Sequence, residues 1–321
     1  GTLNVLDKET GKNYENLCYF EDTLDAGNEY IYFCPEGNPA ILTRGTKAEV
    51  KLVRDLPFAA TYEIVNAMTV PVSADEQLKE EQEIVLHTFV TLEKGSRSIK
   101  MRTEFDNTAK DHRIRVIAPT GIECTHHYAD TVFEAVRRPN EHSSLWENPS
   151  KCEHQQCFTG LNDEKGGLLI ANIGLYEYEI LPQEKNAIAV TILRSVGEMG
   201  DWGVFPTELS QELRHMTAEY ELTFFSGDLV ESGSYRGAYH WNGEGVMFSN
   251  LKAKGQGTDW MARFVNLSGK DTMIRVRPDA AFEEIYRSNV IEEEGEAVSA
   301  AADGWYEIPI GKYGIVTIGI R

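Results

Sequence analysis

Acidic and aromatic residues are concentrated in the stretch FEDTLDAGNEYIYFCPEG, residues 20–37, which holds five carboxylates and four aromatic rings in eighteen residues. Carboxylates accept hydrogen bonds from sugar hydroxyls, and flat rings pack on the apolar faces of pyranoses. The composition therefore indicates a carbohydrate-facing surface. It is equally typical of a β-sandwich rim, where Asp and Gly form turns and Tyr fills a strand.

A second group with chemical potential is the segment CEHQQC, in which Cys152 and Cys157 flank His154. With His126 or His127 these side chains would supply four zinc ligands. Structural zinc sites use tighter paired spacings, and adjacent histidines on a strand point to opposite faces. We therefore expect no metal here and interpret the segment as a loop.

Other catalytic motifs are missing from the sequence. We find no phosphate-binding glycine loop after a strand, no G-x-S-x-G and no H-E-x-x-H. A glycosidase carboxylate pair is recognised by its separation in space, which a sequence with 51 acidic residues does not reveal.

Charge and cysteine usage limit the classes of partner. The 321 residues carry a net charge of −20, which repels phosphate backbones and makes nucleic acid an unlikely partner. No apolar run approaches the roughly 20 residues of a membrane helix, so no membrane partner is expected. The five cysteines are odd in number and irregularly spaced, as in a protein of a reducing compartment. We expect a soluble, cytoplasmic protein.

The dominant pattern along the chain is that of β-strands. Residues 83–121 predict three consecutive strands joined by tight turns, an antiparallel meander. In the third strand, Arg113 and Arg115 are expected on the face opposite Ile114 and Val116. Many short strands with few helices predict an all-β sandwich fold. Glycines become dense around residues 226–245, and we place a domain boundary there, with domains at 1–235 and 236–321.

Four segments also carry a resemblance to a known family. EFDNTAKDHRIRVIAPTG, residues 104–121, is similar to the stretch D-N-x-A-K-D-H-R-L-R-V nearly residue for residue, and we interpret its Asp-His-Arg tripeptide as a turn-stabilising network. Residues 20–37 resemble a glycine-containing turn that leads into a Tyr-containing strand. Residues 193–212 resemble a Leu-Arg-Ser-Val-Gly strand end, and residues 308–321 resemble the last strand. The family is glycoside hydrolase family 38, the α-mannosidases, in its bacterial C-terminal β-rich half.

The resemblance implies an antiparallel supersandwich of the galactose-mutarotase-like type, followed by a small β-sandwich. It also implies the non-catalytic part of a retaining α-mannosidase, whose N-terminal barrel holds zinc on His and Asp ligands and an Asp nucleophile. No segment resembles that barrel, and Gly1 looks like a cut inside a longer polypeptide. We expect no cofactor in this chain, zinc in the catalytic domain, and that domain and an α-mannoside as partners. A homo-oligomer is compatible with this prediction.

By position in the matching segments, the resemblance implies four substrate-binding side chains: Asp25, Glu29, Tyr30 and Arg194. The residues themselves leave alternatives open. Asp25 suits a turn cap, Tyr30 suits a core strand, and Arg194 suits a structural ion pair. Glu29 favours a pocket, because an unpartnered buried carboxylate is costly.

Three functions compete at this point. The first is the C-terminal part of an α-mannosidase, with mannosylglycerate-type substrates included because some bacterial members use them. The second is a stand-alone carbohydrate-binding module, which would bind sugar by itself. The third, a complete hydrolase with its own carboxylate pair, has the least support.

Overall fold

The computed structural model describes residues 1–75, 80–131, 135–142, 151–200, 205–229, 239–254, 259–278, 282 and 284–321. These residues form β-strands and two short 3-10 turns, Pro182–Glu184 and Glu208–Gln211. The predicted all-β class is confirmed. The chain divides into two compact units, Gly1–Ser234 and Tyr235–Arg321. The division lies among residues 230–238, outside the described part.

The first unit contains seventeen strands within the described ranges. They are β1 (Leu3–Leu6), β2 (Asn13–Leu17), β3 (Tyr19–Leu24), β4 (Ile41–Leu42), β5 (Glu49–Leu56), β6 (Ala59–Pro71), β7 (Glu81–Glu93), β8 (Ser98–Asp106), β9 (His112–Ala118), β10 (His126–Asp130), β11 (Ala135–Pro139), β12 (Glu153–His154), β13 (Phe158–Asp163), β14 (Gly166–Asn172), β15 (Glu177–Leu181), β16 (Ala187–Ser195) and β17 (His215–Phe225).

The second unit contains eight strands in its described part. They are β18 (Tyr239–Asn242), β19 (Val246–Ala253), β20 (Trp260–Asn266), β21 (Thr272–Pro278), β22 (Ile285–Ser288), β23 (Glu294–Val298), β24 (Tyr306–Ile310) and β25 (Ile315–Ile320). They form a three-stranded sheet, β18-β21-β24, and a five-stranded sheet, β19-β20-β25-β22-β23. One apolar core joins the two sheets and includes Phe264, Val276, Ile308 and Ile318.

Two large antiparallel sheets build the first unit. Their strand orders are β11-β10-β13-β14-β17-β8-β7-β6-β5 and β12-β15-β16-β9-β3-β4, and β1 pairs with β2 separately. The main apolar core takes side chains from both large sheets, including Ile64, Leu86 and Met101 from the first and Ile114 and Val190 from the second. The predicted supersandwich is therefore present as two facing antiparallel sheets.

Buried and exposed residues alternate along β8, as its sequence predicts, but they do not alternate along β9. In β8, Ile99, Met101 and Phe105 are buried while Lys100 and Arg102 point outward, as period-2 patterning requires. Strand β8 pairs with β7 and β17, whereas β9 crosses to the other sheet and pairs with β3 and β16. The predicted three-strand meander is wrong at its third strand.

Both faces of β9 are buried. Every residue of β9 is buried, including Arg113 and Arg115, because β9 is a central strand whose two faces are both covered. Arg115 is compensated by Glu21, which accepts from its Nε at 2.8 Å, and by Glu179, which accepts from Nη1 at 2.6 Å. Paired charges thus replace solvent on the arginine face.

Within the described ranges, no helix has the length and apolar character that crossing a membrane requires.

Candidate functional site

The acidic, aromatic segment forms a loop after β3. The N–H of Ala26 donates to the carbonyl of Phe33 (2.7 Å), and the N–H of Asn28 donates to that of Ile31 (3.0 Å). A Cβ added to Gly27 would overlap the backbone of Ile31, so the turn requires glycine. The predicted Tyr-containing strand is wrong, because side chains of the segment bind its own backbone N–H groups and compete with a strand ladder.

Asp25 makes several of these hydrogen bonds to the backbone of its own segment. Its Oδ1 accepts hydrogen bonds from the N–H groups of Gly27 and Phe33, both at 3.0 Å, which is the turn-capping role that its position in the sequence left open. Its Oδ2 accepts from Nε of Arg194 at 2.7 Å. The Asp25 side chain is fully buried. Its carboxylate therefore organises the loop from inside.

Arg194 lies at the end of β16 and binds the same loop with all three of its guanidinium nitrogens. Besides its bond to Asp25, it donates from Nη2 to the carbonyl of Asn28 (2.6 Å) and from Nη1 to that of Glu29 (3.2 Å). The rigid fork of a guanidinium matches several acceptors at once. Arg194 thus forms the structural ion pair considered for it, and it fixes the backbone beside Glu29.

Glu29 and Tyr30 lie at the tip of the loop, in solvent. The N–H of Glu29 donates to the carbonyl of Glu198 (2.9 Å), and its Oε1 accepts from the hydroxyl of Ser210 at 2.7 Å. The hydrogen bond from Ser210 lowers the pKa of the Glu29 carboxyl, since it favours the charged form. Tyr30 is 65% exposed, so it is not a core-strand tyrosine.

A second loop, between β16 and β17, joins the first. Besides Ser210 and Glu198, it contributes Gly200, whose φ of +87° and close approach to Asn28 leave no room for a side chain. Five exposed apolar side chains lie on the two adjoining loops: Tyr30, Ile31, Phe33, Phe205 and Leu209. We call these five residues the apex surface. Exposed apolar side chains on adjoining loops are typical of a binding face.

The Asp-His-Arg tripeptide, residues 111–113, stabilises the loops that carry the apex surface. Asp111, at a φ of +54°, accepts from the N–H of Asp25 through its carbonyl (2.8 Å) and from Nε2 of Gln211 through its carboxylate (2.5 Å). His112 is buried between Asp22 (2.5 Å) and Asn107 (3.0 Å). The interpretation of the tripeptide as a turn-stabilising network is confirmed.

The third member, Arg113, anchors the other end of the first loop. Its guanidinium lies 3.6 Å from the centre of the Tyr32 ring, and the Tyr32 hydroxyl donates to Thr23 at 3.0 Å. Burial raises the pKa of Tyr32. The structure thus brings Asp25, Glu29, Tyr30 and Arg194 to one end of the sandwich. Sequence reasoning missed Tyr32 and Ser210, which carry no motif of their own.

The segment with Cys152, His154 and Cys157 does not build a metal site. In the part of the chain that the structure describes, no group of three or more His, Cys, Asp or Glu side chains could hold a metal ion. Cys152 instead accepts a hydrogen bond from Arg113 at 3.1 Å. His127 is buried and uses both ring nitrogens, on Asn140 (3.0 Å) and Tyr178 (2.7 Å).

Comparison with known proteins places this arrangement in a family. Residues 1–198 match the sequence profile of the glycosyl hydrolases family 38 C-terminal domain, and residues 245–318 match that of the family 38 C-terminal beta sandwich domain. A protein of Halalkalibacterium halodurans, named "Putative mannosylglycerate hydrolase", is 34% identical over 339 residues, covering 92% of this chain and 37% of its own length.

Solved structures agree. An alpha-mannosidase from Enterococcus faecalis superposes with a TM-score of 0.77 at 30% identity, covering 100% of this chain and 40% of its own. A second glycosyl hydrolase family 38 protein from Enterococcus faecalis gives 0.74 at 29%, covering 100% and 42%. The chain thus spans about two fifths of the length of these relatives. It belongs to glycosyl hydrolase family 38, of which it forms the C-terminal β-rich region.

Proposed function

We propose that this chain is the non-catalytic C-terminal part of a longer retaining α-mannoside hydrolase and that its apex surface completes the sugar pocket of the catalytic part. Zinc and the nucleophilic carboxylate belong to that other part. The relatives named as an alpha-mannosidase and a mannosylglycerate hydrolase support an α-mannoside substrate, mannosylglycerate included. The five free cysteines support a cytoplasmic location.

One observation carries the proposal: an ion pair between the buried Asp25 and the partly buried Arg194 fixes the loop that presents Glu29 and Tyr30 to solvent. A carboxylate with a lowered pKa remains an acceptor for sugar hydroxyls at neutral pH. The exposed ring of Tyr30 offers a flat face for a pyranose, and its hydroxyl offers a hydrogen bond to the sugar. In this proposal Glu29 and Tyr30 contact the sugar, and Asp25 and Arg194 position them.

The experiment uses the longer enzyme with Glu29→Gln and Tyr30→Phe. Each change keeps the size of the side chain and alters one polar group. We expect kcat/KM on an α-mannoside to fall by the equivalent of about 0.5–3 kcal/mol, with more loss for Glu29, because a charged acceptor is removed. The unfolding temperature is expected to stay unchanged, since both side chains are exposed.

Lys8→Gln, an exposed change on the turn after β1, is the matched control and leaves kinetics unchanged. Wild-type kinetics in both apex variants would contradict the proposal. Sugar binding by the isolated 321-residue chain, lost in the Glu29 and Tyr30 variants, would favour the carbohydrate-binding module instead.

A further inference from the structure

An apolar sheet face lies uncovered at the edge of the first unit. In the register of β5 with β6, Val50 pairs with Ile64 and Leu52 pairs with Tyr62, so these side chains share the core-side face of the nine-stranded sheet. Ile64 is in the core, yet Val50, Leu52 and Tyr62 are 58%, 43% and 45% exposed. The six-stranded sheet, three strands narrower, ends at the two-residue β4. We call Val50, Leu52 and Tyr62 the β5 face.

A buried amide at the rim of this face lacks a partner. Asn66 follows Tyr62 and Ile64 on the same side of β6, since side chains two residues apart share a face. It is 1% exposed, and neither its Oδ1 nor its Nδ2 has a hydrogen-bond partner among the described residues. Gly1 packs directly against Asn66 and Ala48. Because buried polar groups in native proteins are hydrogen-bonded, this amide indicates a hydrogen-bonding partner that the described residues do not supply.

We infer that the catalytic part of the longer protein covers the β5 face and supplies hydrogen-bonding groups to Asn66. This inference rests on the proposed function. The relatives are about two and a half times as long as this chain, since it covers 37–42% of them, so ample polypeptide exists for the contact. The contact joins two parts of one enzyme along a second surface, separate from the apex.

A second copy of the chain fits the edge less well. The ladder between β5 and β6 shifts register between Leu52 and Arg54, which is a β-bulge. A bulge disrupts the outer hydrogen-bonding edge and is one of the devices that prevent two sheets from joining edge to edge. Side-chain packing on the β5 face, rather than an added strand, is therefore the mode of contact.

Hydroxyl-radical footprinting of the 321-residue chain and of the longer enzyme tests the inference. Tyr62 reports the β5 face, Tyr30 reports the apex surface, and exposed Tyr313 in the second unit serves as a reference. We expect Tyr62 to be oxidised several-fold more slowly in the longer enzyme. An unchanged rate at Tyr62 overturns the inference. If only Tyr30 is oxidised more slowly, the inference fails while the proposed function remains supported. An unchanged oxidation rate at Tyr30 counts against the proposed function.

A variant pair gives a second measurement. Leu52→Lys should lower the unfolding temperature of the longer enzyme by about 2 °C or more, and leave that of the isolated chain unchanged. Ile173→Lys, at an exposed turn position, should change neither. Equal unfolding temperatures of the Leu52 variant and the wild type in the longer enzyme would overturn the inference.

Discussion

At the scale of single residues, Asp25 connects the interior of the sandwich to the apex. Its two oxygens bind the N–H groups of Gly27 and Phe33 and the guanidinium of Arg194. Its own N–H is held by the carbonyl of Asp111. Because the carboxylate is buried and fully engaged, it stabilises the loop and does not itself face a ligand.

Asp25→Ala in the 321-residue chain should lower the free energy of unfolding by about 1–3 kcal/mol, because it leaves two backbone N–H groups and a guanidinium without their acceptor. The figure stays below that of a fully buried pair since the Arg194 side chain is 18% exposed. Urea denaturation measures it, with Asp55→Ala, at an exposed position outside the loop, as the control. A change below about 0.5 kcal/mol, the usual range of surface substitutions, would contradict the assigned role.

His127 makes stability depend on pH. Burial lowers its pKa from 6.5 to about 4, against an opposing effect of Asn140. The Asn140 Nδ2 donates to the carbonyl of Cys124, so its Oδ1 accepts from the histidine Nδ1. The Tyr178 hydroxyl lies 2.7 Å from Nε2 and also donates to Glu153. Burial disfavours the charged ring, so the neutral ring is the favoured form.

The unfolded state binds the proton more tightly, so stability is complete above pH 6.5 and is lost as pH falls toward 4. The loss amounts to at most about 3 kcal/mol at 1.36 kcal/mol for each unit. Denaturation of wild type and His127→Gln at several pH values is the measurement. The variant should lose the part of the pH dependence of stability that His127 causes. An identical pH dependence in the two proteins would show that His127 is not responsible.

At the scale of elements, the crossing of β9 between sheets determines where the site is built. Strand β9 pairs with β3 on one side and β16 on the other. Its two neighbouring strands lead into the two loops that carry the apex surface. The first loop follows β3, and the second follows β16, which has Arg194 near its end. The register places Arg194 opposite Arg113, so both arginines reach the first loop from adjacent strands.

Arg115→Met tests how much the buried ion network of Arg115 on β9 contributes to stability. The change leaves Glu21 and Glu179, each with a 13% exposed side chain, without their cation. Removing one side of a buried ion network costs about 3–5 kcal/mol. A triple variant that also carries Glu21→Gln and Glu179→Gln should recover much of that loss in urea denaturation. A loss below about 1 kcal/mol in the single variant, typical of a surface ion pair, would show that the network is solvated.

Element type was predictable from the sequence wherever one face of a strand meets water. Lys100 and Arg102 alternate with apolar residues in β8, and the pattern alone predicts that strand. In β9 the same alternation does not mean exposure, because Arg115 pairs with carboxylates from β3 and β15, far away in sequence. The periodicity of the sequence shows which positions in a strand are polar. It does not show which residue pairs with a charged side chain in the fold.

The site was predictable only through the family resemblance. Asp25 and Arg194 are separated by 169 positions, and no local pattern links them. The resemblance named both, together with Glu29 and Tyr30, and the structure brings Arg194 against the loop that holds the other three. The conformation of that loop was beyond the sequence, because Asp25 and Asn28 hydrogen-bond the backbone and override the strand propensity of Tyr30–Phe33.

At the scale of the whole molecule, the chain holds two β units of glycosyl hydrolase family 38 and about two fifths of the length of its relatives. Glycoside hydrolysis by a retaining enzyme requires a nucleophilic carboxylate and an acid at a fixed separation. In the proposed function both groups belong to the other part of the enzyme, and this chain completes the pocket.

The most direct test of this division is hydrolysis of an activated aryl α-mannoside by the purified 321-residue chain and by the longer enzyme, each with and without added zinc. We expect turnover by the longer enzyme alone, because the absence of a nucleophile slows the reaction by many factors of ten, at about 1.4 kcal/mol for each. Turnover by the 321-residue chain that survives repurification, and that a carboxylate substitution within this sequence abolishes, would contradict it.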